Sequence, residues 1–93
     1  MLTHVVSFTF TDPEDRHEAK ARLEALPPRI EAIRSLTAGL DVLGDPGAAH
    51  LALITTHDDV AGLRAYQQHP DHEAFARWLG PLLAAKTVVD FEG

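Results

Sequence analysis

The sequence contains no cysteine. That rules out a disulfide framework and a thiolate metal site. Basic residues are also scarce: eight Lys and Arg stand against fourteen Asp and Glu, a formal net charge of -6. A chain of that sign repels nucleic-acid phosphates and anionic lipid, so neither is an expected partner. No apolar run approaches the roughly 20 residues needed to span a bilayer. Met1-Leu2-Thr3-His4 lacks the basic opening of a secretory signal. The expected protein is soluble and cytoplasmic. No phosphate, nicotinamide or flavin motif is present, so no cofactor is expected. Aromatic residues are few, with one Tyr and one Trp. The single tyrosine lies in Ala65-Tyr66-Gln67-Gln68-His69-Pro70-Asp71-His72, the stretch densest in groups able to move protons.

The 93 residues suit one domain, residues 1–93, with a small core. Leu2 to Thr11 alternates, with Leu2, His4, Val6, Phe8 and Phe10 on one side, and reads as a strand. Thr11-Asp12-Pro13 opens a helix whose apolar stripe runs through Ala19, Leu23 and Leu26. Pro27-Pro28 stops it, and a short second turn is expected to carry Ile30 and Ile33. Leu36 to Leu43 alternates as a second strand. The breakers Gly44-Asp45-Pro46-Gly47 follow it. His50 to His57 is apolar on both faces and reads as a central third strand. Asp58-Asp59 caps a second helix, which Pro70 must interrupt. Asp71 is then placed to cap the next helix, with His72, Phe75, Leu79 and Leu82 along its inner stripe. Lys86 to Glu92 closes the chain as a fourth strand.

This order, β-α-β-β-α-β, predicts an α+β, ferredoxin-like fold: a four-stranded antiparallel sheet with its helices on one face. The other face, assigned Val5, Thr37, Ala52 or Leu53, and Val88, is too apolar to leave in water. Two such faces packed together would form a homodimer.

Three polar groups face inward from separate elements: His4 on the first strand, Tyr66 near the end of the second helix, and His72 in the stripe beyond. They can meet in a cavity between helices and sheet that would take a small apolar molecule. Its walls would be Val6 and Phe8 from the strand, Leu23 and Ile30 from the first helical region, and Leu63, Phe75 and Leu79 from the later helices. An imidazole that titrates near neutrality and a phenol that can donate to a carbonyl oxygen suit abstraction of a proton beside a carbonyl. The same groups can instead form a rigid, mutually satisfied corner with no chemistry. His69-x-x-His72 has metal-ligand spacing, but Pro70 breaks the helix that would aim both rings together. No distant third ligand stands out, so no metal is expected. His17 belongs to the charged outer surface of the first helix. His50 and His57 are expected to face solvent or mark strand ends.

The opening Thr3-His4-Val5-Val6-Ser7-Phe8, the Thr37-Ala38-Gly39 strand, the block Tyr66-x-x-His69-Pro70-x-His72 and the closing Val88-Val89-Asp90-Phe91 together resemble the Dabb family, the stress-responsive dimeric α/β barrel domain. The resemblance covers essentially the whole chain, and the Tyr-His-Pro-His block is its most specific part. It implies a monomer that pairs through its sheet into a dimeric α/β barrel. It also implies a site in which His72 is the general base, with Tyr66 and His4 at the carbonyl, as in plant polyketide cyclases that close a poly-β-keto chain by aldol condensation. His69 would support the bend or hold His72. A tyrosine on the first helix of those cyclases is replaced here, with Leu23 in its place. The competing function is a non-catalytic protein that binds a hydrophobic ligand or serves a structural role under stress. A cofactor-free monooxygenase on the same barrel is a third.

Overall fold

A computed structural model describes residues 1–93. Strand β1 spans Leu2–Phe10 and helix α1 Asp15–Glu24. Strands β2, Ser35–Leu40, and β3, Leu51–His57, follow. Helices α2, Val60–Gln68, and α3, Pro70–Leu79, lead to the closing strand β4, Leu83–Glu92. The sheet runs β2-β3-β1-β4, with every neighbouring pair antiparallel. This is the ferredoxin-like βαββαβ arrangement, with the second helical segment broken in two. No helix is long and apolar enough to cross a membrane.

Local chemistry fixes most element ends. Asp12 caps a turn ahead of α1, its Oδ1 accepting from the Glu14 amide at 3.1 Å. Pro27-Pro28 ends the helical run as a 3-10 turn, Pro27–Arg29. Ile30 leaves that turn extended rather than belonging to it, yet both Ile30 and Ile33 are buried. The second strand stops at Leu40, three residues earlier than alternation suggests. The Asp41 carboxylate accepts from the Gly44 amide at 2.7 Å, which turns the chain and leaves Val42 and Leu43 in solvent. Asp59 caps α2 by accepting from the Gly62 amide at 2.9 Å.

The inner face of the sheet and the helices enclose one core. Phe8, Phe10, Leu51, Leu53, Ala19, Leu23 and Leu63 are among its buried members. Helix α1 packs on β2, and α2 on β3 and β1. The edge strand β4 is therefore the least covered, and its residues beyond Leu83 are exposed.

The pairing register assigns the opposite face. It carries Thr3, Val5, Ser7 and Thr9 from β1 and Ala85, Thr87, Val89 and Phe91 from β4. Ala52, Ile54 and Thr56 come from β3, with Ser35, Thr37 and Gly39 from β2. Not one of these side chains is ionisable. Val5, Thr37 and, of the two alternatives on β3, Ala52 lie here as expected; Val88 points inward instead, and Val89 and Phe91 take its place. Strand β3 is interior to the sheet as expected, but its outer residues Ala52 and Ile54 are exposed in the single chain. Hydroxyls on this face pair with each other, Ser7 with Thr87 and Ser35 with Thr56, so burying them would cost little.

Leu23 is wholly buried. Leu23→Ala is expected to destabilise the fold by about 2–5 kcal/mol in urea unfolding. A loss below about 1 kcal/mol would show that α1 is not packed as described.

Candidate functional site beneath the broken helix

The site depends on where α2 stops. Pro70 has no amide hydrogen to continue α2, and the residue before a proline is driven out of the helical region. His69 accordingly sits at φ -65 and ψ 137, extended, and α3 begins at Pro70. His69 Nδ1 accepts from the Asp71 amide at 3.0 Å, so the helix cap is a histidine rather than Asp71. The Asp71 carboxylate instead accepts from Arg29 Nε at 2.7 Å, which ties the start of α3 to the 3-10 turn. That arginine holds the Asp71 carboxyl below its usual pKa.

The break sets Tyr66, at the end of α2, against His72, in the first turn of α3. Their ring centroids are 4.5 Å apart, edge to face. His4 approaches the same tyrosine from β1, with centroids 6.3 Å apart. The three candidate catalytic residues therefore meet. A cavity of about 190 Å³ lies beside them, under α3 and against β1 and β4. Val6, Phe8, Phe75 and Leu79 line it, as expected. Leu53, Gln67, Leu83, Lys86 and Val88 line it as well, and alternation read without a register had not assigned them there.

Three residues expected in the wall are elsewhere, and His69, expected to support the bend or hold His72, does not line the cavity either. Leu23 on α1, Leu63 on α2 and Ile30 beyond the 3-10 turn are buried in the core and do not line this cavity. His69 lines a separate surface depression with Arg29, Ile30 and Ala32, because its ring is turned back to cap α3.

Two partners complete the site. Asp90 lies directly across from His4 in the β1–β4 register, and its carboxylate accepts a hydrogen bond from His4 Nδ1. His57 was expected at a strand end or in solvent, and it does end β3. It is fully buried, and its ring centroid is 5.1 Å from that of Tyr66. Its Nδ1 lies 2.8 Å from the Ala32 carbonyl, which can only accept, so Nδ1 carries the proton. Nε2 of the neutral ring then accepts from the Thr55 hydroxyl at 2.9 Å. The parity that places Leu51 and Leu53 inward extends to Thr55 and His57 and could have identified both. His50 does mark the strand end: its Nδ1 accepts from the Phe10 amide at 2.9 Å.

The electrostatics favour neutral rings. Burial pushes the Tyr66 phenol up to about 12, with no hydrogen bond or charge opposing it. Burial lowers the His72 pKa, opposed by the Gln67 backbone and the Glu73 carboxylate and reinforced by Lys86. His72 Nδ1 is buried without a hydrogen-bond partner in the protein. Burial likewise lowers His57, opposed by Ala32. At neutral pH the cavity thus holds a protonated phenol in contact with an uncharged imidazole.

Residues 2–93 match the model of the stress responsive A/B barrel domain, Dabb. The chain belongs to the Dabb family. This Dabb domain also superposes closely on solved structures. A dimeric ferredoxin-like protein of unknown function from Thermobifida fusca YX matches with a TM-score of 0.87 at 29% identity, covering 99% of this chain and 90% of that one. A dimeric protein of unknown function from Bacteroides fragilis NCTC 9343 gives 0.86 at 28%, covering 99% and 95%. The hydroxynitrile lyase of Passiflora edulis shares the fold, with a TM-score of 0.83 at 16% identity over 97% of this chain and 90% of that one. No curated protein matches this Dabb chain by sequence.

The two depressed histidines fix a pH dependence of stability. The unfolded-state value is near 6.5 and the folded-state values lie below it. Above about pH 6.5 both states are neutral and the rings contribute no slope. As pH falls below that point the unfolded chain takes up protons that the folded chain refuses, so stability is lost. The urea midpoint should decline from pH 6.5 towards about 5, and the decline should be shallower in His57→Asn. A midpoint that is flat or rising over this window would contradict the buried neutral rings.

Proposed function

We propose that this Dabb domain works as a homodimer whose cavity binds a small carbonyl compound, on which His72 and Tyr66 catalyse the making or breaking of a carbon–carbon bond by acid–base chemistry, as a lyase or cyclase. The observation that carries this reading is the contact between Tyr66 and His72, both of which line the cavity. A neutral imidazole has a free lone pair and can take a proton from the carbon beside a carbonyl. The phenol, still protonated, can donate to the carbonyl oxygen as negative charge develops there. The resulting carbanion adds to a second carbonyl, and the imidazolium returns its proton to the alkoxide. In the cleavage direction the imidazole takes the hydroxyl proton, the bond between the two carbons breaks to leave a carbonyl and a carbanion, and the imidazolium returns its proton to that carbanion. His4, oriented by Asp90, completes the polar end of the site.

Membership of the Dabb family, whose resemblance implies a cyclase-like site, and the shared fold of a hydroxynitrile lyase fit this class of reaction. The size of the cavity limits the substrate. At about 190 Å³ it is smaller than the roughly 300–1,000 Å³ of sites for drug-sized ligands. A short keto compound fits better than a long poly-β-keto chain.

The dimer is supported by the uncharged outer sheet face and by the dimeric state of the two bacterial neighbours. Pairing two such faces gives the dimeric α/β barrel and removes Ile54, Val89 and Phe91 from water. A non-catalytic role has one observation in its favour: Tyr66 is wedged among three histidine rings, as a rigid structural corner would be.

Two experiments follow. The protein incubated with short β-keto acids, thioesters and cyanohydrins should yield a condensed or cleaved product by mass spectrometry. His72→Ala should reduce turnover by at least about 100-fold and Tyr66→Phe by a smaller factor, with the fold retained. Full turnover in His72→Ala would remove the base assignment, and lost stability with no chemistry in any variant would favour the structural corner. Separately, the mass in solution should be near twice 10.1 kDa. Ile54→Asp combined with Val89→Asp should halve it, whereas a wild-type monomer would contradict the sheet-face dimer.

A further inference from the structure

Lys86 is the one lysine or arginine lining the cavity, and the proposed chemistry leaves it unused. It lies on the inner face of β4, across from Phe8 in the register, and is exposed at the open edge of the cavity. Its neighbours on that face are already occupied: Val88 packs in the cavity wall, and Asp90 is bound to His4. Lys86 enters none of the chain's ion pairs. Among the residues lining the cavity Lys86 is the only lysine or arginine and none is a carboxylate; the nearby Asp90 is bound to His4. This is the reverse of the chain's overall balance, a formal charge of -6. A cation without a counter-ion, at the mouth of an apolar pocket in an acidic protein, selects for negative charge in whatever enters.

We infer that the cavity takes a small carboxylate, with its anionic group held at the mouth by Lys86 and its apolar or carbonyl-bearing end inward towards Tyr66 and His72. The inference rests on reading this cavity as the ligand site, and it narrows the substrate class from small carbonyl compounds in general to keto acids. It differs from the role an edge-strand lysine often has, which is to keep the strand edge from pairing with another chain. That role would give Lys86 no effect on ligand choice.

Hexanoate and hexanamide serve as probes, since they match in shape and differ in charge. Both would be titrated into the dimer by two-dimensional amide NMR at low salt. Hexanoate should bind about fivefold more tightly than hexanamide, near the upper range for an exposed ion pair, and the preference should shrink as salt is added. Lys86→Met should abolish the preference while leaving hexanamide affinity unchanged, and Lys86→Arg should retain it. His72→Ala should also retain it. Selective hexanoate binding with no turnover of any keto compound would therefore leave the anion site standing and sink only the catalytic reading. Equal affinity for the two probes would overturn the inference. So would a preference that survives Lys86→Met, or hexanoate that fails to bind at millimolar concentration.

Discussion

Pro70 lacks an amide hydrogen, and the arrangement of the site follows from that one missing donor. Helix α2 cannot continue through it, so the chain straightens at His69 and restarts as α3. A continuous helix would place Tyr66 and His72 six residues apart on different faces. The break folds the two segments so that the rings meet edge to face. His69 stabilises the new start by capping it, and Arg29 fastens it through Asp71. The tyrosine–histidine contact is thus a consequence of backbone chemistry, held from both sides by side-chain bonds.

The two faces of the sheet then divide the work. The inner face carries His4, Thr55 and His57 among apolar neighbours, and each of these polar residues has a protein partner: Asp90 for His4, and Thr55, with the Ala32 carbonyl, for His57. His72 is the exception, with a buried nitrogen left unpaired. An unsatisfied buried polar atom costs stability, and such atoms persist mostly where another role requires them. The outer face carries no charge and pairs its own hydroxyls, which suits contact with a second copy of itself.

Alternation and breakers made the element order, the ferredoxin-like topology and the meeting of His4, Tyr66 and His72 legible in the sequence. Both signals are local: a period of two for strands, and proline and glycine for ends. What could not be read depends on register and on which helix covers which strand. Val88 was assigned to the outer face because the parity of the last strand is ambiguous until Val6 is set opposite it. Asp90 became a partner of His4 by the same pairing. Leu23, Ile30 and Leu63 look identical to cavity-lining residues in a helical stripe, and only the uneven cover of the helices separates packed core from open pocket. His57 is a different matter. Its parity with Leu51 and Leu53 was visible, but a polar residue at a strand end suggests solvent until the Ala32 carbonyl is seen to meet it.

The proposed chemistry requires an uncharged His72 beside a protonated Tyr66. The direct measurement is the pH titration of the His72 ring nitrogens by ¹⁵N NMR in the wild-type protein. A midpoint clearly below 6.5, with one ring nitrogen protonated and the other free at neutral pH, is the expected result. A midpoint at or above 6.5 would mean that the ring carries charge where its burial should forbid it, and would contradict the proposed base.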